Sequence, residues 1–131
     1  MRHLIFFVIS LICFNTYAQQ NTTVDCTTGP VSTTFCYDTG IDNSYTFTSN
    51  DGTPLNLTIA EGQVETNWDE LEVRDSDGTV LYNGYGNGGN ISALSFQSSG
   101  DSITLEIVED GSISCVSSGY TPITFIVSCA T

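Results

Sequence analysis

Apolar and polar residues alternate with period two along most of the chain, and no segment shows a sustained helical period. Alternation of this kind is typical of β-strands that bury one face. A Thr- and Ser-rich segment before Cys36 and the residues 79–82 are further candidates for strands. The clearest alternating segments are Tyr45–Phe47, Leu55–Ile59, Leu71–Val73, Leu94–Phe96, Ile103–Ile107 and Ile123–Val127.

Turn-forming residues separate these segments, as in Asn50-Asp51-Gly52 and the Asn- and Gly-rich stretch 83–90. Asp75-Ser76-Asp77-Gly78 begins like a calcium loop. Because it lacks the remaining ligands and lies between two strands, we expect a hairpin turn there. Short strands at regular spacing predict an all-β fold, an antiparallel jelly-roll-type β-sandwich of about eight strands.

The amino terminus has the pattern of a secretory leader. Arg2 precedes the apolar run Leu4–Phe14, and the small residue Ala18 follows it. This predicts a signal peptide over 1–18, cleaved after Ala18, and a secreted extracellular domain over 19–131. The apolar run is too short to span a bilayer, and no later segment is long and apolar enough, so we expect no membrane insertion.

The composition of the predicted mature domain excludes most catalytic chemistry. It contains no lysine or histidine and one arginine, Arg74, beside all fifteen acidic residues of the chain. Ser-His-Asp and Cys-His catalysis, imidazole metal sites and Schiff-base lysine chemistry are therefore excluded. Nucleic acid and anionic membrane surfaces repel such a polyanion. We expect a binding protein that attracts cations, not an enzyme, and no nucleic-acid partner.

Four cysteines remain after the leader: Cys26, Cys36, Cys115 and Cys129. An even number in a secreted chain, without close CxxC pairs, favours disulfides over a zinc site. Of the possible pairings, Cys26 with Cys36 and Cys115 with Cys129 are the first choice because they close short loops. Each would stabilise the fold by about 2 to 3 kcal/mol.

Strand direction predicts where the acidic residues meet. If successive strands run end to end, those at 55–60, 79–82 and 102–108 point the same way, and their trailing loops share one end of the sandwich. Carboxylates crowded there repel one another unless a cation neutralises them, and Ca²⁺ takes oxygen ligands of this kind. A calcium site is the prediction, and a solvated acidic rim is the alternative. The acids gathered at this end are Glu61, Glu65, Asp69, Glu109 and Asp110.

The same region resembles the central part of CUB domains, especially their bacterial relatives. The similarity lies in Glu65-Thr66-Asn67-Trp68-Asp69, in Leu71-Glu72-Val73-Arg74-Asp75, and in the later Asp110-Gly111-Ser112 and Gly119-Tyr120. It covers most of residues 44–128. The common cysteine positions of that family are absent here, and the four cysteines of this chain lie elsewhere.

The resemblance implies a CUB-like β-sandwich over 19–131 and a specific set of site residues. Its calcium ligands fall on Glu65, Asp69 and Asp110, with carbonyl oxygens near Gly111 and Ser112 completing the shell. Calcium-ordered loops in that family receive a basic residue of the partner, here an extracellular protein or carbohydrate.

Three aromatic residues, Trp68, Tyr85 and Tyr120, are candidates for the rim of this binding surface. The alternative is that they only pack the rim of the sandwich.

Two other functions fit parts of the sequence. One is an accessory jelly-roll domain at the start of a larger secreted hydrolase or adhesin. The other is a small glycosidase that uses two carboxylates, Glu65 with Glu61 or with Asp110. The sequence shows no insertion that would form a substrate cleft, so the non-catalytic interaction module is favoured.

Overall fold

The computed structural model describes residues 19–131, so the predicted signal peptide over 1–18 lies outside the described residues. Within this range the chain forms nine β-strands and one short helix. They are β1 (Gln20–Val24), β2 (Val31–Phe35), β3 (Ser44–Ser49), β4 (Leu55–Glu61), β5 (Glu70–Asp75), β6 (Val80–Gly84), β7 (Ser95–Gln97), β8 (Ser102–Val108), α1 (Cys115–Ser118) and β9 (Ile123–Cys129).

The strands form two packed sheets, which confirms the predicted all-β sandwich. One sheet has the order β1-β3-β8-β5-β6, and the other has the order β2-β9-β4-β7. All strand pairs are antiparallel except β1 with β3, which is parallel. The parallel pair arises because β2, which separates β1 from β3 in the sequence, belongs to the opposite sheet.

The apolar side chains of the alternating segments point inward and fill the space between the two sheets. Leu55, Leu57 and Ile59 of β4 are fully buried, and the residues between them face outward. Burying a side chain of this size stabilises the fold by about 1.5 to 3 kcal/mol. Phe125 of β9 lies at the centre of an aromatic cluster, 5.5 Å from the ring of Phe47. The predicted hairpin turn joins β5 to β6, where the Gly78 N–H donates to the Asp75 carbonyl.

The predicted local disulfides, Cys26 with Cys36 and Cys115 with Cys129, are wrong. Cys26 pairs with Cys129, and Cys36 pairs with Cys115, across sequence separations of 103 and 79. Cys26 follows β1 and Cys36 follows β2, and these strands end at opposite ends of the sandwich. The two residues therefore cannot meet. Loops this long make each crosslink worth about 4.5 kcal/mol in the chain-entropy account.

The strand-direction prediction is correct. Strands β4, β6 and β8 run the same way, since Leu71 at the start of β5 faces Gly84 and Ile107, near the ends of β6 and β8. A hydrogen bond from the Gln63 N–H to the Thr121 carbonyl joins the loop after β4 to the segment before β9. The loops after β4, β6 and β8 thus share one end. Within the described residues, no helix is long and apolar enough to cross a membrane.

Candidate metal site

The structure brings together the three carboxylates predicted as metal ligands. One oxygen from each of Glu65, Asp69 and Asp110 lies within 4.8 Å of the others. We call these three residues the acid cluster. Asp69 is fully buried, Glu65 is half-buried and Asp110 is exposed, so the cluster is open to solvent on one side.

A tight turn places Glu65 beside Asp69. The Asp69 N–H donates to the Glu65 carbonyl across 3.1 Å, and the Trp68 N–H donates to the same oxygen across 3.4 Å. Asn67 adopts a φ of 71°, in the left-handed region. Asparagine tolerates this region better than most residues, which suits it to this position in the turn.

Two donors hold the Asp69 carboxylate in place. The Tyr37 hydroxyl donates to Oδ2 across 2.5 Å, and the Asp110 N–H donates to Oδ1 across 3.1 Å. The same tyrosine oxygen accepts the Glu65 N–H across 3.2 Å. Burial, followed by the hydrogen bond to Asp69, raises the pKa of Tyr37, so the phenol stays protonated and remains a donor. A buried carboxylate requires such partners.

Tyr37 is the main residue of this site that the sequence patterns do not identify. It lies two residues after the end of β2 and is fully buried. Its neighbour Cys36 forms the disulfide to Cys115, and the Val116 N–H donates to the Tyr37 carbonyl across 3.3 Å. The disulfide therefore ties the tyrosine segment to the loop that carries Asp110.

The loop after β8 is shaped by its own carboxylates. Glu109 accepts the N–H of Gly40 across 3.1 Å and that of Gly111 across 2.5 Å. Asp110 Oδ1 accepts the N–H and the hydroxyl of Ser112, at 3.0 and 2.7 Å. Gly111 and Ser112 thus lie exposed beside the acid cluster. Their role as carbonyl ligands stays a prediction.

The electrostatics of the acid cluster favour a cation. Glu65 Oε2 is buried and has no hydrogen-bond partner among the residues that the structure describes. Desolvation, followed by the negative charges of Asp110 and Asp69, raises the pKa of Glu65. The chain contains no lysine, and Arg74 of the described part pairs with Glu72 instead. Carboxylate oxygens are the hard donors that Ca²⁺ prefers. A bound cation would also give the buried, unpaired Glu65 Oε2 a partner.

The predicted rim residues differ in exposure. Trp68, next to Asp69, is 63% exposed, whereas Tyr85 and Tyr120 are half-buried and pack against the core. Val108 and Val116 are also exposed on this end, at 41% and 59%. Val108 could have been identified from the alternation of β8, which turns it outward. Val116 lies on helix α1, which the strand pattern does not predict.

Comparison with known proteins identifies the fold. No family model matches the sequence, and no curated protein matches it significantly. The full extracellular region of zebrafish Gpr126/Adgrg6 matches 87% of this chain at 14% identity with a TM-score of 0.64, and this chain spans 15% of that one. The MASP-1 CUB2 domain bound to Ca²⁺ matches 86% of this chain over 100% of its own length, at 14% identity and a TM-score of 0.60. The sandwich therefore has a CUB-like fold.

Proposed function

We propose that this chain is a secreted, non-catalytic interaction module whose acid cluster binds Ca²⁺. The observation that carries the proposal is the buried, unpaired Glu65 Oε2 beside the fully buried Asp69. Two negative groups held this close are unfavourable unless a cation joins them, and the one arginine of the described residues, Arg74, pairs with Glu72 instead. The similar MASP-1 CUB2 domain binds Ca²⁺ with the same fold, which supports the choice of ion.

The ion would be held by Glu65, Asp69 and Asp110, with carbonyl oxygens of Gly111 and Ser112 and with water. When bound, it supplies the positive charge that neutralises the cluster and links the loop after β4 to the loop after β8. Tyr37 orients Asp69 whether or not the ion is present, because its hydrogen bond is internal.

The partner contact is proposed for the same end of the sandwich. Trp68, Val108 and Val116 are exposed apolar side chains on or near the loops that carry the acid cluster. An apolar surface around a charged centre suits a partner that presents a basic side chain, since contacts around the charge exclude water from it. The partner is then an extracellular protein, or a carbohydrate bearing a cationic group.

Thermal melts of residues 19–131 in millimolar CaCl₂ and in EDTA test the calcium proposal. At calcium a hundred times above Kd, binding stabilises the native state by about 2.7 kcal/mol, so the melting temperature rises by several degrees. Asp69→Asn, which keeps the side-chain shape, is expected to abolish the rise. Asp101→Asn is the matched control, because it removes an exposed acid at the opposite end. Identical wild-type melts in both buffers would contradict the proposal.

The accessory-domain alternative has one observation in its favour. The similar domain of zebrafish Gpr126/Adgrg6 is one part of a much longer extracellular region. Sequencing the codons that follow Thr131 in the gene tests this alternative. A hydrolase or adhesin domain encoded there would make this chain its accessory module.

The glycosidase alternative is tested with a panel of chromogenic glycosides. We expect no turnover. Turnover that Glu65→Gln abolishes would overturn the non-catalytic part of the proposal.

A further inference from the structure

A polar groove of about 360 Å³ opens at the end of the sandwich that carries the acid cluster. It is lined by Glu61, Gly62 and Gln63 after β4, by Gly88, Asn90 and Ser92 from the segment between β6 and β7, and by Thr121 before β9. This volume lies in the range of small-molecule sites. None of the proposed calcium ligands lines the groove.

The side chains of the groove offer hydrogen-bonding groups that the protein does not use fully. Asn90 Oδ1 accepts the N–H and the hydroxyl of Ser92, at 2.9 and 2.6 Å. The amide NH₂ of Asn90 and the lone pairs of the Ser92 hydroxyl are left for a ligand. Glu61 Oε1 accepts the Thr124 hydroxyl across 3.1 Å, which leaves Oε2 as an acceptor.

Backbone contacts hold the walls of the groove together. The Gln63 N–H donates to the Thr121 carbonyl across 3.1 Å, and the Val64 N–H donates to the Gly89 carbonyl across 2.9 Å. A side chain at Gly89 would place its Cβ 2.5 Å from the Val64 carbonyl oxygen, so glycine permits this close approach. The groove is therefore formed before any ligand enters.

The chemistry of the lining selects among ligand classes. No cationic side chain of residues 19–131 lines the groove, so phosphate, sulfate and carboxylate ligands are repelled. Among the described residues no apolar side chain lines it either, which disfavours a purely apolar ligand. An ammonium group only donates, so it cannot accept hydrogen bonds from the NH₂ groups of Gln63 and Asn90. Sugar hydroxyl groups donate and accept, and so match the carboxylate, the amides and the hydroxyls together.

We propose that this groove is a binding site for a neutral saccharide unit, separate from the acid cluster and independent of whether calcium binds there. The module would then have two binding functions on one end. One is a cationic contact at the acid cluster, and the other is hydrogen-bonded recognition of an extracellular glycan in the groove.

Chemical-shift mapping by ¹⁵N–¹H NMR on residues 19–131 tests the inference. The probes are cellohexaose, mannohexaose and chitohexaose at millimolar concentration, with butylamine as the cationic probe, all in CaCl₂. At least one oligosaccharide is expected to shift the amides of Gly62, Gln63, Gly88 and Asn90 in a saturable way. Gln63→Ala should weaken that binding about five-fold, the effect of one lost hydrogen bond. Gln97→Ala, on the exposed face of β7, is the matched control and should leave it unchanged.

Three results would overturn the proposal. These are no saturable shift with any oligosaccharide, shifts in the groove with butylamine alone, and equal affinities for Gln63→Ala and the wild type. A calcium titration of the same sample without saccharide reports on the acid cluster separately. A sample that responds to calcium but to none of the oligosaccharides therefore refutes the saccharide site and leaves the calcium proposal standing.

Discussion

The Tyr37 hydroxyl is the group whose removal should reveal how the acid cluster is held. Tyr37→Phe deletes a hydrogen bond to the Asp69 carboxylate and leaves the Glu65 N–H without its acceptor. A hydrogen bond to a charged group contributes about 1.5 to 3 kcal/mol, and a buried unpaired donor costs about 1 to 3 kcal/mol. The lower ends of these ranges apply because the site opens to solvent on one side, and together they give a loss of about 2.5 kcal/mol in the free energy of unfolding.

Urea unfolding in EDTA measures this loss without any contribution from calcium. The midpoint should fall while the slope stays constant, because the surface exposed on unfolding is unchanged. Tyr45→Phe is the matched control, since the hydroxyl of Tyr45 makes only a 3.5 Å contact with Gln20. Its effect should be within about 0.5 kcal/mol. A Tyr37→Phe protein that is as stable as the Tyr45→Phe control would refute the reasoning.

Three further variants test the electrostatics and the crosslink. Cys36→Ala combined with Cys115→Ala should lower the free energy of unfolding by about 4.5 kcal/mol and also weaken the calcium-dependent rise in melting temperature. Glu65→Gln should raise the melting temperature in EDTA, because it removes one of the crowded charges, and abolish the response to calcium. Burial, followed by the facing charge of Glu72, raises the pKa of Glu106, so the folded state binds that proton more tightly than the unfolded chain. Stability is therefore lost as the pH rises through the Glu106 pKa. In urea titrations, Glu106→Gln should be more stable than the wild type by about 0.5 kcal/mol at neutral pH, and this difference should disappear in acid.

Hydrophobic alternation predicts the strands that bury one face, because burial fixes their side chains. It places the inward residues of β4 and β8 correctly. It does not separate β1 from β2, which are rich in Ser and Thr and lie at the sheet edges, where burial imposes a weaker pattern. Helix α1 is too short to show a helical period in its hydrophobic residues. It is defined instead by its caps, Ser114 at the amino end and Gly119, with a φ of 68°, at the carboxyl end.

The sequence was enough to predict which carboxylates come together at the site. It was not enough to predict Tyr37, which holds Asp69 in place. Strand direction alone decides which loops meet, and it therefore brings Asp69 to Asp110. Tyr37 reaches the site from β2, and the sequence does not show which sheet β2 joins. The same uncertainty explains the wrong disulfide pairing, because the position of Cys36 depends on that strand.

Isothermal titration of residues 19–131 with CaCl₂ tests the central claim most directly. The account predicts saturable binding of one ion per chain, lost in Asp69→Asn and kept in Asp101→Asn. Absence of saturable binding in the wild type, or equal binding by Asp69→Asn, would contradict it.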